Sequence, residues 1–199
     1  MLKREDLQII SELIKPNSKV LDLGCGNGEL LKELIDSKKI DGLGIEISLE
    51  SIKKCLEYGI SVVQEDLDEG LRDFQDKSFD YVILSQTLEH ISKPAFLIQE
   101  MLRVGKKCII SFENLAYWKN RISFLLSGSL NRGDTMKNRF NSGGKQQILT
   151  VNKFLMLCNF NKFEIFKKVY LPKKRMNLAE RFPNFFSRMA IFILKGDYS

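Results

Sequence analysis

The sequence predicts an α/β fold built on a mostly parallel sheet with helices on both faces, and three observations carry that prediction. Over residues 1–110, short apolar runs alternate with helical patterns, the signature of successive β-α units. A glycine-rich stretch, Gly24-Cys25-Gly26-Asn27-Gly28, sits where the first strand turns into the following helix. Carboxylates stand at the ends of the first three strands (Asp22, Glu46 and Asp66), about 20 residues apart as β-α spacing demands.

The elements follow in order. Leu7, Ile10, Leu13 and Ile14 share one face of an opening helix, which stops before Pro16 because a residue ahead of proline is pushed out of helical backbone. Lys19–Leu23 reads as the first strand, and Glu29–Ser37 as a helix with Leu30, Leu31, Leu34 and Ile35 inward. Gly42–Ile47 is the second strand, Leu49–Tyr58 a helix, Ser61–Gln64 the third strand and Phe79–Ser85 the fourth. Pro94 suits the first turn of the next helix, where a missing N–H costs nothing. Leu97, Ile98, Met101 and Leu102 face inward from that helix, with Gly105 just past its end and Lys107–Phe112 as the fifth strand.

The second half changes character. Tyr117–Leu126 reads as helical, and residues 128–147 then hold Gly128, Gly133, Gly143 and Gly144 with little apolar content. Long irregular stretches in compact domains are usually functional or mobile. A helix around Val151–Cys158 follows, and then two last strands, Phe163–Leu171 and Arg188–Leu194, joined by a connection containing Pro172 and Pro183. No domain boundary interrupts the pattern, so residues 1–199 are read as one domain.

Charge divides the chain. Residues 1–110 carry 15 Lys/Arg against 20 Asp/Glu, and residues 111–199 carry 16 against 5, so the net +6 is a net −5 followed by a net +11. A uniformly basic nucleic-acid coat is thereby excluded. Four widely spaced cysteines with no C-x-x-C pair, beside a single histidine, argue against a Cys/His zinc site and for a reduced, cytoplasmic protein. Acidic residues follow at once in Met1-Leu2-Lys3-Arg4-Glu5-Asp6, which predicts no secretory signal, and no run is long enough to span a membrane.

The glycines of the first turn allow positive φ and let a ligand approach backbone without meeting a Cβ. Their spacing is G-x-G-x-G, not the dinucleotide G-x-G-x-x-G, and Asp22 precedes the first glycine by two positions. That combination resembles motif I of class I S-adenosylmethionine-dependent methyltransferases. The chemistry fits, because this cofactor offers an ammonium, a sulfonium, ribose hydroxyls and an adenine amino group but no pyrophosphate. Acceptors should line such a pocket: Glu46 for the ribose hydroxyls and Asp66 for the adenine amino group, with Leu67 against the ring. The expected cofactor set is Asp22, Gly24, Cys25, Gly26, Gly28, Glu46, Ile47, Asp66, Leu67, Ser85 and Gln86, holding S-adenosyl-L-methionine or S-adenosyl-L-homocysteine. A plain structural turn and NAD binding are the competing readings.

Ser85-Gln86-Thr87-Leu88-Glu89-His90-Ile91 follows the fourth strand, where an acceptor substrate would meet the methyl group. His90 there is either a base toward a hydroxyl or amine, or a residue that caps and packs the following turn. No Asn/Asp-Pro-Pro-Tyr/Phe element follows this strand, which argues against methylation of adenine or amide nitrogen.

Most of the chain resembles one branch of that superfamily, the MetW family of methionine biosynthesis. The resemblance is carried by Val20–Leu31, Gln64-Glu65-Asp66-Leu67-Asp68-Glu69-Gly70-Leu71 and the stretch from Asp76 to Leu88. Glu100–Gly105, Ser111-Phe112-x-Asn114 with Trp118, Phe182–Phe186 and Ala190–Leu194 extend it. It implies a Rossmann-like methyltransferase fold with a seven-stranded sheet and an antiparallel last strand. It also implies a role beside homoserine O-acyltransferase, as a methyltransferase on a small metabolite or as a non-catalytic partner that uses the fold as sensor or scaffold. Two stretches depart from the family pattern: Leu88-Glu89-His90, closer to quinone-pathway methyltransferases, and Phe140–Gln147. A nucleic-acid surface at Lys167-Lys168 and Lys173-Lys174-Arg175, with Phe166 and Tyr170 between them, stands against a solvated strand face and lacks any recognised RNA module. No membrane association is expected.

Overall fold

The structure is a computed structural model that describes residues 2, 4–128, 147–171 and 176–195. The region expected to be irregular, 128–147, lies outside the described residues except for its two ends, as does the basic stretch 173–175.

Among the described residues, seven strands form one sheet: β1 (Lys19–Leu23), β2 (Asp41–Glu46), β3 (Ser61–Gln64), β4 (Phe79–Ser85), β5 (Gly105–Glu113), β6 (Ile165–Leu171) and β7 (Met189–Lys195). Their order is β3-β2-β1-β4-β5-β7-β6. The first five pair in parallel, while β7 runs antiparallel to both β5 and β6. The mostly parallel sheet with an antiparallel last strand is thus as expected.

Burial on both faces explains why the central strands read as continuous apolar runs. Successive side chains point to opposite faces. Val20, Tyr81, Ile83, Ile109, Ile191 and Ile193 enter one core with α1 (Glu5–Leu13), α2 (Glu29–Lys38) and, through Cys55, α3 (Leu49–Glu57). Leu21, Val82, Leu84, Cys108, Ile110, Phe192 and Leu194 enter the other with α4 (Pro94–Val104) and α6 (Val151–Phe160). Phe112, Phe154 and Phe192 form the aromatic centre of that second core, with Phe154 and Phe192 ring centroids 4.6 Å apart.

The predicted elements are present with small shifts. The second strand ends at Glu46, one residue earlier than expected, which leaves Ile47 on the surface. The sixth begins at Ile165 because Asn161 and Lys162, the latter at φ +57°, turn the chain and the Phe163 N–H bonds back to the Cys158 carbonyl. A helix α5 (Trp118–Ser127) closes on Gly128 at φ +62°. The connection before the last strand holds two short helices that sequence patterning misses, α7 (Met176–Arg181) and α8 (Pro183–Phe186). Each is too short to show a helical period, and Pro183 serves as the first residue of α8.

Lys167 and Lys168 lie on the edge strand β6. The aromatics beside them are already engaged. Phe166 carries Lys107 and Lys195 over its ring at 5.6 and 4.5 Å, and Tyr170 packs edge-on against Phe192.

Candidate functional site

Strand order reverses between β1 and β4, and in open α/β sheets ligands sit at the carboxyl ends of the strands beside such a switch point. Two cavities meet there. The first, about 280 Å³, is lined by Arg4, Leu7, Asp22, Gly24, Cys25, Gly26, Asn27, Glu29, Leu30 and Ser85. The second, about 390 Å³, is lined by Gly24, Ile45, Glu46, Ile47, Glu65, Asp66, Leu67, Asp68, Thr87, His90 and Ile91. Gly24 belongs to both, so the turn after β1 is their shared wall. Together they fall within the roughly 300–1,000 Å³ typical of small-ligand sites.

The turn is built by its glycines. Gly24, Gly26 and Gly28 have φ of +66°, +56° and +76°. A Cβ on Gly24 would come within 2.7 Å of the Thr87 side chain, whereas one on Gly26 would meet nothing within 4 Å. Gly24 is therefore a packing requirement, and Gly26 presents open backbone to the first cavity. The Gly24 and Cys25 N–H groups donate to the Ile45 carbonyl at 2.8 and 3.1 Å, tying the turn to β2. Gly28 opens α2 but, like Gln86, lines neither cavity.

Glu46 is held in place by backbone donors. Its Oε2 accepts from the Gly26 N–H at 2.9 Å, and its Oε1 accepts from the Ile47 and Ser48 N–H groups, each at 2.9 Å. Asp66 accepts from the Asp68 N–H at 2.9 Å and so opens the short turn Leu67–Glu69. Leu67 is nearly buried beside it, while Ile47 is 60% exposed at the rim. Glu65 joins the acidic wall; burial, with the Asp73 and Glu69 charges adding to it, raises its carboxyl above the usual range.

Asp22 is 3% exposed at the floor of the first cavity, and among the described residues nothing donates a hydrogen bond to its carboxyl. Burial pushes it up to about 7, with the Arg4 guanidinium opposing the rise and the Glu46 carboxylate adding to it. A buried acceptor facing a cavity without a donor is a position where a cationic or hydrogen-bonding ligand would be stabilised.

Sequence reading missed Arg4, which lines the first cavity with Asp22, and the buried carboxylate that holds it. Asp6, fully buried, accepts from Ser85 Oγ and Ser111 Oγ at 2.9 Å each, and Arg4 clasps it with Nη2 at 2.7 Å and Nε at 3.2 Å. Arg4 Nη2 also donates to Ser85 Oγ at 2.6 Å, and the Gln86 amide reaches Asp6 at 3.4 Å. Burial alone would raise the Asp6 carboxyl, but the hydrogen bonds and charge of Arg4, with Ser85 and Ser111, hold it below the usual range. The one legible signal was an Arg-x-Asp ahead of an apolar helical stripe. Nothing local says that it reaches two strand ends about 80 and 105 residues away.

His90 closes the short turn Leu88–His90 on the rim of the second cavity. Its side chain is 55% exposed, with Nε2 3.7 Å from Glu89 Oε1. Gln147 is fastened to this turn: its N–H donates to the Glu89 carbonyl at 2.7 Å and its side-chain amide to the Ile91 carbonyl at 2.9 Å. The structure therefore brings Asp22, Gly24, Cys25, Gly26, Glu46, Ile47, Asp66, Leu67, Ser85 and His90 around one crevice.

A bifunctional methionine biosynthesis protein MetXA/MetW from Rhodopirellula baltica is 41% identical over 131 residues, 62% of this chain but 21% of that protein. A ubiquinone biosynthesis O-methyltransferase from Methylococcus capsulatus is 33% identical over 93 residues, 44% of this chain and 39% of that one. The chain thus spans well under half the length of these relatives. Among solved structures, an S-adenosylmethionine-dependent methyltransferase from Mesorhizobium loti superposes with a TM-score of 0.71 at 17% identity, covering 97% of this chain and 98% of its own. One from Archaeoglobus fulgidus gives 0.68 at 20% identity, covering 96% and 91%. Those likenesses show the fold. The family model for methionine biosynthesis protein MetW matches residues 4–194, and the chain belongs to the MetW family.

Proposed function

We propose that the crevice binds S-adenosyl-L-methionine and that the chain transfers its methyl group to a small metabolite. The observation that carries this reading is the buried Asp22, which has no donor among the described residues, at one end of a crevice whose other end is walled by Glu46, Asp66 and Leu67. The residues fit the two ends of such a molecule. Asp22 suits the ammonium and the Arg4 guanidinium, steadied by Asp6, suits the carboxylate. Glu46, already oriented by three N–H donors, suits the ribose hydroxyls, and Leu67 and Ile47 flank the ring that Asp66 would address.

A sulfonium supplies an activated methyl group that leaves by direct displacement, so positioning contributes much of the rate. His90 stands on the rim where an acceptor hydroxyl or amine would enter, exposed enough to take its proton and release it to water. Calorimetry with S-adenosylmethionine tests the reading. The wild type should bind, Glu46→Ala should bind at least about tenfold more weakly, and His90→Ala should bind unchanged but lose turnover. No heat from the wild type, or Glu46→Ala equal to it, overturns the proposal.

One observation favours a second reading. The Rhodopirellula relative carries the names MetXA and MetW in a single chain. It supports an association between this chain and a homoserine O-acyltransferase, in which the methyltransferase fold serves as sensor or scaffold. Co-purification from the native lysate, with the acyltransferase rate measured with and without this chain, separates the two readings. A partner without methyl transfer leaves the scaffold role alone.

A further inference from the structure

Two thiols lie beneath the cofactor turn. Cys25, within the turn, and Cys55, on α3, place their Sγ atoms 4.0 Å apart, although 30 residues separate them. Both address the same acceptor, the Gly26 carbonyl, at 3.8 Å from Cys25 and 3.2 Å from Cys55. Two glycines make room for them: a Cβ on Gly44 would come within 2.5 Å of Cys25 Sγ, and one on Gly28 within 3.1 Å of Cys55 Sγ. Cys25 lines the first cavity and is partly accessible, whereas Cys55 is fully buried. Cys108 and Cys158 are buried in the opposite core, among α4, α6 and their strands.

We propose that Cys25 and Cys55 form a disulfide-forming pair whose closure shuts the turn between Gly24 and Gly28 to its ligand. The part concerning the ligand rests on the cofactor reading above; the pair itself does not. A hydroperoxide reaching the first cavity oxidises the accessible Cys25 thiol to a sulfenic acid, and the peroxide is reduced to water or an alcohol. The Cys55 thiol then attacks that sulfur, the S–S bond forms, and a second water leaves. The two thiols together lose two electrons and two protons. Burial, with the Asp22 charge adding to it, raises the Cys25 thiol above its ordinary range, which makes the first step slow.

Geometry links the bond to the site. An S–S bond is about 2.05 Å, so the sulfurs must close nearly half of their 4.0 Å separation. Cys25 immediately precedes Gly26, whose N–H is fastened to Glu46. Drawing Cys25 toward α3 lifts its sulfur off Gly44 and pulls on the segment that walls both cavities. Linkage is reciprocal, so a ligand that holds the turn open slows closure.

The test treats the full chain with hydrogen peroxide, in the absence and presence of S-adenosylmethionine, and maps disulfides by mass spectrometry. The expected product joins the tryptic peptides 20–32 and 55–72, leaves Cys108 and Cys158 as thiols, forms more slowly with S-adenosylmethionine present, and reverses with dithiothreitol. Calorimetry on the oxidised protein should show affinity reduced about tenfold or more, within the range of typical coupling between sites. Amide exchange at residues 24–28 reports the turn without any ligand and should change on oxidation. Cys55→Ser, which keeps a donor to the Gly26 carbonyl, should retain the reduced protein's affinity and lose its sensitivity to peroxide; Cys55→Ala serves if the serine misfolds. Absence of the 20–32/55–72 product overturns the pair. Its formation with affinity and exchange unchanged overturns the coupling. If the reduced protein does not bind, the cofactor reading falls, while mapping and exchange still decide the dithiol.

Discussion

Replacing Asp22 by asparagine should make the empty protein more stable while weakening its ligand binding. The folded state holds this carboxyl up to about 7, against 3.8 for an ordinary aspartate, so between those values the folded protein binds a proton that the unfolded chain has released. Stability contributed by the protonated form is complete below about pH 4 and is lost as pH rises toward 7. At about 1.4 kcal/mol per pH unit, the loss is on the order of 4 kcal/mol by pH 8. Asp22→Asn removes it. Burying an amide and forfeiting attraction to Arg4 offset part, which leaves an expected gain of about 1–2 kcal/mol at pH 8. Urea unfolding of both proteins from pH 5 to pH 8 is the assay. The stability difference should climb with pH and level off above about 7.5, because other groups cancel in the comparison. A pH-independent difference refutes the claim that burial holds this carboxyl protonated. Calorimetry completes the argument: affinity for S-adenosylmethionine should fall in Asp22→Asn, and wild-type binding below pH 7 should release protons to the buffer, since a cationic ligand favours the ionised carboxyl.

Gly24→Ala meets both a left-handed backbone and the Thr87 side chain at 2.7 Å; it should cost about 1–3 kcal/mol by urea unfolding, and adding Thr87→Ala should recover only the steric part. Asp6→Ala leaves Arg4 unclasped and two buried hydroxyls without their acceptor, for a loss of about 3 kcal/mol or more, and it should lower ligand affinity by freeing Arg4. Phe192→Ala empties the centre of the Phe112–Phe154–Phe192 cluster and should cost about 3–5 kcal/mol without changing ligand affinity in the folded fraction.

Elements were legible where local physics suffices. The strand Lys19–Leu23, the third and fourth strands, and the proline-initiated helix at Pro94 all matched, because apolar runs, helical periods and proline carry their own geometry. The glycine turn and the acidic strand ends were legible for the same reason: they are short-range patterns with a fixed relation to a β-α unit. The two helices α7 and α8 were not, since four to six residues show no period. The charge split also sharpened. Six of the early carboxylates (Asp22, Glu29, Glu46, Glu65, Asp66 and Asp68) line the crevice, while another, Asp6, holds Arg4 in place.

By itself, then, the sequence determined the class of sheet, the position of the glycine-rich turn and the carboxylates at the ends of the first three strands, all of which rest on neighbours close in the chain. Only the tertiary structure decided what stands beside Asp22. Arg4 and Asp6 reach Ser85 and Ser111 because parallel pairing brings the ends of β4 and β5 level beneath the first helix. Cys25 and Cys55 become neighbours for the same reason: packing of α3 against the sheet converts a 30-residue separation into 4.0 Å. Such pairings arise from register and packing across the sheet, and local periodicity carries no trace of them.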